Sequence, residues 1–308
     1  MSKAAIAADF EIVPIEQVAR EDVLAILDQS FGPGHNDAWF TWKHLDNPYG
    51  RSSGWVAIGV RGLLGVRLFM RWQLQGGARE VRAVRPVDTA TAPQARGRGV
   101  FRELTRFAVE EVMRDSRADI IFNTPNLNSR IAYSRMGWTL LPPIAHGYRP
   151  VLPGRAAKLE SDDAAFEAFD HFYPNGDRLR SHRSSKVMRW RYDARSGVSY
   201  SISRLRQAEA PNAIIYRMTE RWGMRVLVVN ELAGNPDEKR VLAQSAARSE
   251  GARALLFATG DGALNSVEGA AIRRGNSVLA VRALKNIEPA PADLNSWALT
   301  LGDLERVI

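Results

Sequence analysis

The sequence contains no cysteine among its 308 residues. Disulfide bonds, thiolate nucleophiles and cysteine-ligated metal sites are therefore excluded, and so is any mechanism that passes through an acyl-cysteine intermediate. No run of eighteen consecutive apolar residues occurs, and Asp9 and Glu11 interrupt the amino-terminal segment before an apolar stretch of signal-peptide length. We expect a cytoplasmic protein without a membrane span.

Sequence signatures for several common ligands are also missing. There is no Gly-Lys-Ser/Thr triplet for a nucleoside-triphosphate loop, and the pair Gly97-x-Gly99 lacks the third glycine of a dinucleotide fingerprint. No zinc-finger, helix-turn-helix or RNA-binding aromatic pattern accompanies the basic residues. The net charge of +8 favours an anionic partner of some kind, and a solvated basic surface is the alternative. Nucleic acid is not the partner we expect.

Strand and helix patterns alternate along the first half of the sequence. In chain order we predict strands at 10–15, 54–60, 63–74, 81–91, 118–123 and 138–141, with helices at 20–31, 101–115 and 126–137. A proline-rich stretch at 142–153 follows. We place a domain boundary in this stretch, which gives domains at 1–148 and 149–308.

The segment from Gln94 to Phe101, QARGRGVF, joins the end of a predicted strand to the start of a predicted helix. A glycine-containing turn at this point directs free backbone N–H groups and the positive end of the helix toward one place, which suits an anion such as a phosphate. Gly97 and Gly99 permit unusual backbone angles, and Arg96 and Arg98 can add charge at the rim. An exposed basic turn is the alternative.

This segment resembles the pyrophosphate-binding signature of the GNAT superfamily of acyl-CoA-dependent N-acyltransferases, in the form Gln94-x-x-Gly97-x-Gly99. A second segment is similar to the superfamily's Asn-x-x-(Ala/Ser)-x-x-x-Tyr-x-x-x-Gly-aromatic pattern. Its matching residues are Asn126, Ser129, Tyr133, Gly137 and Trp138. Together the two signatures cover roughly residues 10–148. The resemblance implies an α+β fold, with a mixed and mostly antiparallel sheet flanked by helices.

The resemblance also implies where an acyl-CoA cosubstrate binds. In the superfamily, the strand before the loop separates from its neighbour and its backbone pairs with the pantetheine arm, while the loop amides hold the pyrophosphate. The residues that correspond to this role are Thr89, Ala90, Thr91, Gln94, Ala95, Arg96, Gly97, Arg98, Gly99, Val100 and Phe101, with Asn126 and Ser129 near the thioester. We predict acetyl-CoA or another acyl-CoA as cosubstrate, and no metal.

Three residues are candidates for catalysis by direct attack of an amine on the thioester. Tyr133 corresponds to the residue that protonates the departing thiolate, because a phenol remains protonated at neutral pH; a packed helix tyrosine is the alternative. Asp88 could take the proton of the amine, or could instead pair with an arginine such as Arg85. Asn123 could orient water or substrate, or only end its strand. His44 and Asp46 could line the acceptor site.

The second half of the sequence shows a weak similarity to the first. Trp42 matches Trp190 and Asn230 matches Asp88, although chance similarity is a competing explanation. The glycine loop is absent from this half, where Asp237 and Glu238 would place negative charge against a pyrophosphate. We predict a degenerate second GNAT-like domain that does not bind CoA, and that shapes the acceptor site or has a structural role.

The predicted function is acetyl transfer from acetyl-CoA to a primary amine of a small molecule, an amino sugar or a peptide. Two other functions stay open at this stage. One is a non-catalytic sensor that binds acyl-CoA, and the other is a peptidyl transferase dependent on aminoacyl-tRNA, which pairs two such domains. The intact glycine loop disfavours the latter, since that class has little use for a CoA pyrophosphate loop.

Overall fold

The computed structural model describes residues 5–7, 10–60, 62–171, 176–260, 264 and 271–304. The strands in these ranges are β1 (Ala5–Ala7), β2 (Phe10–Pro14), β3 (Ser53–Gly59), β4 (Gly62–Gly76), β5 (Arg79–Thr91), β6 (Ile120–Asn123), β7 (Thr139–Leu140), β8 (Ala145–Pro150), β9 (Leu159–Glu160), β10 (Arg180–Ser181), β11 (Ser201–Leu205), β12 (Ala213–Arg221), β13 (Met224–Ala233), β14 (Ala254–Ala258), β15 (Ala271–Arg274) and β16 (Ala280–Ala283). The helices are α1 (Arg20–Phe31), α2 (Asp37–Phe40), α3 (Val100–Asp115), α4 (Leu127–Arg135), α5 (Asp163–His171), α6 (Ser185–Arg191), α7 (Pro236–Ser249) and α8 (Leu301–Leu304).

The chain divides into two compact units, each built from discontinuous ranges. Unit one comprises residues 1–74, 79–141 and 279–292, and unit two comprises residues 75–78, 142–278 and 293–308. The predicted division at residues 148 and 149 falls within β8, whose strand partners lie in unit two. The assignment of the second half as a GNAT-like domain stays a prediction.

The sheet of unit one contains strands in the order β1-β2-β3-β4-β5-β6-β16-β7. β16 comes from far along the chain and pairs antiparallel with both β6 and β7, with Val281 opposite Phe122 and Thr139. Neighbours from β1 to β3 are antiparallel, whereas β5 and β6 run parallel. β16 therefore joins two strands that the sequence pattern alone would make neighbours.

The central strands of unit one, β4 and β5, are long, and the middle of β4 is buried, as expected of a strand covered on both faces. From Leu64 to Met70 every residue of β4 is buried, including Arg67. α3 follows the sheet with an apolar face that contains Leu104, Phe107 and Ala108, spaced as in an amphipathic helix. The core of unit one thus forms between this face and the sheet.

The sheet of unit two has the order β15-β8-β14-β13-β12-β11-β9. Its core cluster includes Ile214 and Leu227 of the sheet with Leu242 and Ala246 of α7, all fully buried. Both units therefore combine mixed, largely antiparallel sheets with flanking helices, and the predicted α+β fold class is confirmed. Among the residues that the structure describes, no helix is long and apolar enough to cross a membrane.

A close contact in unit two gives a test of the sheet packing. Gly147 of β8 lies opposite Phe257 of β14, and a Cβ atom added at Gly147 would overlap the Phe257 ring. We expect Gly147→Ala to lower the free energy of unfolding by about 1–3 kcal/mol, because the ring would be pushed out of a packed core. Denaturant unfolding measures this change.

The matched control is the same substitution in a Phe257→Leu background. The smaller leucine side chain leaves room for the added methyl group. Gly147→Ala should therefore lower the free energy of unfolding by less in this background than in the wild-type chain. Equal costs in the two backgrounds would show that the Phe257 ring does not restrict residue 147.

Candidate active site

The parallel strands β5 and β6 begin paired and then separate. Ala83 lies opposite Ile120 and Val84 opposite Ile121, and these are the pairs that the two strands make among the described residues. β5 continues for seven more residues to Thr91, so the edge that faces β6 leaves its backbone groups available beyond Val84. A gap between parallel strands of this kind can accept an extended ligand that supplies its own backbone-like hydrogen bonds.

An irregularity in β5 lies beside this gap. Asp88 has a φ angle of 45°, in the left-handed region that residues with a side chain seldom adopt. Such a residue interrupts the regular strand and redirects the groups on either side of it. The strain is local to the segment that approaches the glycine loop.

The glycine loop leads directly from β5 to α3. A short 3₁₀ turn at Pro93–Ala95 is followed by Gly97 and Gly99, with φ angles of 78° and 80°. Gly99 is the residue that precedes the first turn of α3, and no side chain caps this helix start. The left-handed angles explain why glycine occupies both positions.

The start of α3 is therefore a group of available hydrogen-bond donors. Among the described residues, the backbone N–H groups of Gly97, Gly99, Val100 and Phe101 donate no backbone hydrogen bond of standard geometry. The positive end of the helix dipole adds to these donors over a 16-residue helix. Gln94, Arg96 and Arg98 are exposed around them. This arrangement can bind a phosphate or pyrophosphate.

A second set of polar groups surrounds Tyr133 on α4. Its side chain is 1% exposed, and its phenol oxygen accepts hydrogen bonds from Arg67 Nη2 at 2.8 Å and Asn123 Nδ2 at 3.1 Å. The side-chain oxygen Oδ1 of Asn123 in turn accepts a hydrogen bond from the Thr124 backbone N–H at 2.8 Å, which fixes the orientation of the side-chain amide. Two donors thus hold the phenol oxygen, and the phenol proton is left to point elsewhere.

The Tyr133 ring is also fixed by its neighbours. Phe101, from the first turn of α3, packs edge-on with a centroid distance of 5.9 Å, and Trp138 lies at 4.5 Å. α4 ends at Arg135, and Gly137, with a φ angle of 78°, reverses the chain so that the Trp138 N–H donates to the Tyr133 carbonyl. The sequence spacing from Tyr133 to Gly137 and Trp138 therefore reflects the way α4 ends, and this helix end places Trp138 against the Tyr133 ring.

A buried ion cluster lies around Asp88. Lys43 Nζ is 2.9 and 2.8 Å from the two carboxylate oxygens, and His44 Nε2 is 3.1 Å from Oδ2. Lys43 and His44 come from the π-helical turn Thr41–Leu45, which widens the helix and places these consecutive residues against β5. The other ring nitrogen of His44 lies 2.9 Å from Ser52 Oγ.

Burial and charge set the protonation of this cluster. Burial alone would raise the pKa of Asp88, but the Lys43 charge and the contact with His44 outweigh it, and the pKa lies below the ordinary value of 3.8. For His44, burial lowers the pKa from 6.5, and the Asp88 charge opposes this only in part. At neutral pH the cluster therefore holds the Asp88 carboxylate and a neutral His44 imidazole, with Lys43 in contact with the carboxylate.

The structure places the predicted residues in three groups. Gln94 to Phe101 form the loop and helix start, while Tyr133 and Asn123 are hydrogen-bonded to each other. Asp88 belongs to the lysine and histidine cluster, and the neighbouring Thr89 accepts a hydrogen bond from Arg67 Nη1 at 2.7 Å. The roles assigned to these residues stay predictions.

The remaining predicted residues have local roles that are visible directly. The Asn126 side chain caps α4 by accepting from the Ser129 N–H at 2.9 Å, so the spacing of these two residues produces a helix start. Ala90 is buried in β5, and Thr91 is half-buried at the end of that strand. His44 is 1% exposed, and is thus not a surface histidine.

Two residues of the site were not found from the sequence. Lys43 is buried against Asp88, and Arg67 is buried against Tyr133. The available signal for Arg67 was its position, because a charged residue stands in the middle of an apolar strand pattern. Lys43 gave no such signal, since it lies in a short irregular segment. Among the described residues, no group of three or more potential ligands could hold a metal ion.

A family of known proteins matches the region of the chain that contains the glycine loop and Tyr133. The family model described as an acetyltransferase (GNAT) domain matches residues 11–141. This range contains β2 to β7, the glycine loop, α3 and Tyr133. No curated protein sequence is significantly similar to the chain.

Solved structures of acyltransferases share the fold. A probable N-acyltransferase from Enterococcus faecalis has a TM-score of 0.67 and 10% identity, over 89% of this chain and 72% of that protein. A GCN5-related N-acetyltransferase from Kribbella flavida has a TM-score of 0.62 and 19% identity, over 92% and 73%. Yeast N-myristoyltransferase with bound myristoyl-CoA has a TM-score of 0.60 and 12% identity, over 97% and 91%. At these identities the similarity shows the fold alone.

The family match and the glycine loop coincide within the same residues. The predicted resemblance is thereby confirmed for residues 11–141. This part of the chain matches the acetyltransferase (GNAT) domain family model.

Proposed function

We propose that the protein transfers the acyl group of an acyl-CoA, with acetyl-CoA as the donor, to a primary amine of a small molecule, an amino sugar or a peptide. The observation that carries this proposal is the uncapped start of α3 beside the open edge of β5. Free amides at the helix start suit the pyrophosphate, and the open strand edge suits the amide groups of pantetheine. Arg96 and Arg98 add positive charge at the rim.

The chemistry needs a thiol to leave and an amine to lose a proton. The amine nitrogen attacks the thioester carbonyl carbon, the carbon–sulfur bond breaks, and its electron pair passes to sulfur. Tyr133 supplies the proton that sulfur takes up, because its phenol oxygen accepts from Arg67 and Asn123 and so directs its own proton away from both. The products are an amide and free CoA.

Asp88 is our candidate for the group that receives the proton of the amine. Its side chain is 12% exposed, at the irregular point of β5. Because the pKa of Asp88 is held below its ordinary range, the carboxylate binds a proton only weakly and would pass it on to solvent. His44 and Lys43 hold the carboxylate in place.

For the second unit we propose a GNAT-like strand and helix arrangement that does not bind CoA. β13 and β14 pair in parallel as far as Val228 and Leu256, and the pairing of β13 with β12 shifts so that Asn230 is left out of register. This irregularity precedes α7, as the irregularity at Asp88 precedes α3. These features support the match between Asn230 and Asp88.

The start of α7 differs from that of α3 in its chemistry. Asn235 and Glu238 form a capping box in which each side chain accepts from the other's backbone N–H, and Asp237 adds a second carboxylate in the first turn. The amides are therefore already used, and the charge is negative. A pyrophosphate would be repelled rather than held.

A non-catalytic acyl-CoA sensor is the second candidate, and the low pKa of Asp88 is the observation that favours it. A sensor would bind acyl-CoA without releasing free thiol when amines are added. The free helix start disfavours a peptidyl transferase that uses aminoacyl-tRNA, as the sequence does.

The first test is acetyl-CoA binding by calorimetry. We expect micromolar binding by the wild-type chain, and a loss on the order of 100-fold or more in a Gly97→Glu/Gly99→Glu variant, because bulk and negative charge would block backbone N–H donors that are worth about 1.5–3 kcal/mol each to an anion. Gly197→Glu is the matched control, since Gly197 has a φ angle of 75° and open space around it. No binding by the folded wild-type chain would contradict the proposal.

The second test concerns Tyr133. In a screen of amines that detects free thiol, Tyr133→Phe should lower kcat about 100-fold or more while the Kd for acetyl-CoA changes less than about twofold, because the hydroxyl with its transferable proton is lost and the glycine loop is unchanged. Tyr216→Phe, at a buried tyrosine of unit two whose phenol donates to Glu250, is the control. Unchanged kcat in Tyr133→Phe would remove the proton-donor role. Acyl-CoA binding without turnover with any amine would favour the sensor.

The third test uses the pH dependence of stability. Because burial lowers the pKa of His44 below 6.5, the unfolded chain binds the proton more readily than the folded chain does. The free energy of unfolding should therefore fall as pH drops below about 6.5, by up to about 1.4 kcal/mol per pH unit from this group. The contribution of Asp88, whose pKa is also lowered, is lost only below about pH 4.

Denaturant unfolding at several pH values measures this slope. His44→Gln should remove the His44 component, whereas the exposed His171→Gln should leave the slope unchanged. An equal slope in wild type and His44→Gln would mean that His44 is not held neutral in the folded protein.

A further inference from the structure

Arg67 is a fully buried cation, and no carboxylate of the described residues pairs with it. Its side chain is 0% exposed in the middle of β4, and among the described residues it forms no ion pair. Its Nε atom has no hydrogen-bond partner either. An arginine keeps its charge inside a protein, so the folded state contains an uncompensated positive charge at this place.

A buried charge without a partner destabilises the folded state unless other contacts offset the loss of hydration. Burying an unpaired charge costs several kcal/mol, and replacing a buried ionic group with an apolar one of similar volume often leaves a protein as stable or more so. The rings of Phe69, Phe101 and Tyr133 lie 5.2, 5.3 and 5.5 Å from the guanidinium carbon, which repays a part of this cost. Packing alone gives no reason to prefer arginine over methionine here.

Both hydrogen bonds of Arg67 described here, and its contact with Phe101, lead to the candidate site. Nη2 donates to the Tyr133 phenol oxygen at 2.8 Å, Nη1 donates to Thr89 Oγ1 at 2.7 Å, and Phe101 belongs to the first turn of α3. Arg67 thus contacts the proton donor, the open strand and the anion-binding helix start. A charge in this position acts on negative charge that develops between these three elements.

We propose that Arg67 is the positioning residue for departure of the thiol. Through its hydrogen bond it fixes the phenol of Tyr133 with the proton directed to the leaving sulfur. Its charge, which no carboxylate of the described residues neutralises, stabilises the negative charge on sulfur before sulfur takes up that proton. The proton moves from the phenol oxygen to sulfur as the carbon–sulfur bond breaks, and the phenol is then reprotonated from the amine or from water. This inference rests on the proposed function.

The test requires no knowledge of the acceptor amine. The Kd values of CoA and of desulfo-CoA, in which hydrogen replaces the thiol, are measured by calorimetry from about pH 6 to about pH 9, a range that includes the ordinary thiol pKa of about 8.5. If Arg67 stabilises the thiolate, wild type should prefer CoA over desulfo-CoA by about tenfold or more at the upper end of this range. The ultraviolet absorbance of bound thiolate reports the same titration.

Arg67→Met is the decisive variant. We expect it to lose the preference for CoA while its Kd for desulfo-CoA stays within about twofold of wild type, because only the sulfur is affected. The variant should fold, since Tyr133 keeps its hydrogen bond from Asn123 and the Thr89 hydroxyl keeps its hydrogen bond to the Val87 carbonyl oxygen. We also expect a melting temperature equal to or higher than that of wild type, which a structural role for Arg67 would not give.

Two further variants separate a specific effect from a general one. Arg85→Met removes another fully buried arginine, which lies between the rings of Trp72 and Phe122, and should leave the preference for CoA unchanged. Arg67→Met/Tyr133→Phe should lose more of the preference than Tyr133→Phe alone, because the Arg67 charge also acts on the thiolate directly.

Each outcome decides between the possibilities. A full preference for CoA in Arg67→Met, or an equal loss in Arg85→Met, would overturn the assignment of Arg67 while the acyltransferase proposal stands. The same conclusion would follow if wild type bound CoA and desulfo-CoA equally across the pH range. Failure of folded wild type to bind either compound would overturn the proposed function, and this inference with it.

Discussion

The separation of β5 from β6 beyond Val84 and Ile121 is the constraint on which the candidate site depends. Parallel strands are held together by evenly spaced backbone hydrogen bonds, and a pair that opens leaves donors and acceptors without partners. The irregular Asp88 lies on the open part of β5, and the glycine loop begins where that strand ends. Tyr133 is tied to the same strand through Arg67 and Thr89. An extended ligand with amide groups would complete the hydrogen bonding that the sheet lacks.

The starts of α3 and α7 differ in how their first backbone N–H groups are satisfied. Every helix begins with backbone N–H groups that have no partner within the helix. In α7, Asn235 and Glu238 satisfy them with side chains, which adds negative charge and gives a stable helix end. In α3, glycine precedes the first turn, and no side chain caps it. A helix that gives up a cap loses about 1 kcal/mol of stability, and a bound anion can return it.

Local patterns in the sequence indicated most helices and strands of the first half and the glycine loop, because periodicity, glycine and helix-end signals act over a few residues. Tyr133 and Asn123 were named separately from the sequence and are hydrogen-bonded to each other in the structure, while their catalytic roles stay predictions. Lys43 and Arg67 were not identified from the sequence, because each belongs to the site through a contact with a distant residue. Lys43 contacts Asp88, 45 positions away, and Arg67 contacts Tyr133, 66 positions away. The place of β16 between β6 and β7 depends on strands well over one hundred residues earlier. No local signal records such a pairing.

The position of β16 has a consequence for how the protein is made. The acetyltransferase match ends at residue 141, yet the sheet that it contains receives a strand from Ala280–Ala283. When residue 141 leaves the ribosome, β6 and β7 have no shared neighbour, and each presents an open edge. Domains usually fold in the order in which they are synthesised. The sheet of this domain must wait for about 140 further residues, so in that interval its nascent form has an exposed sheet edge that invites pairing with other chains.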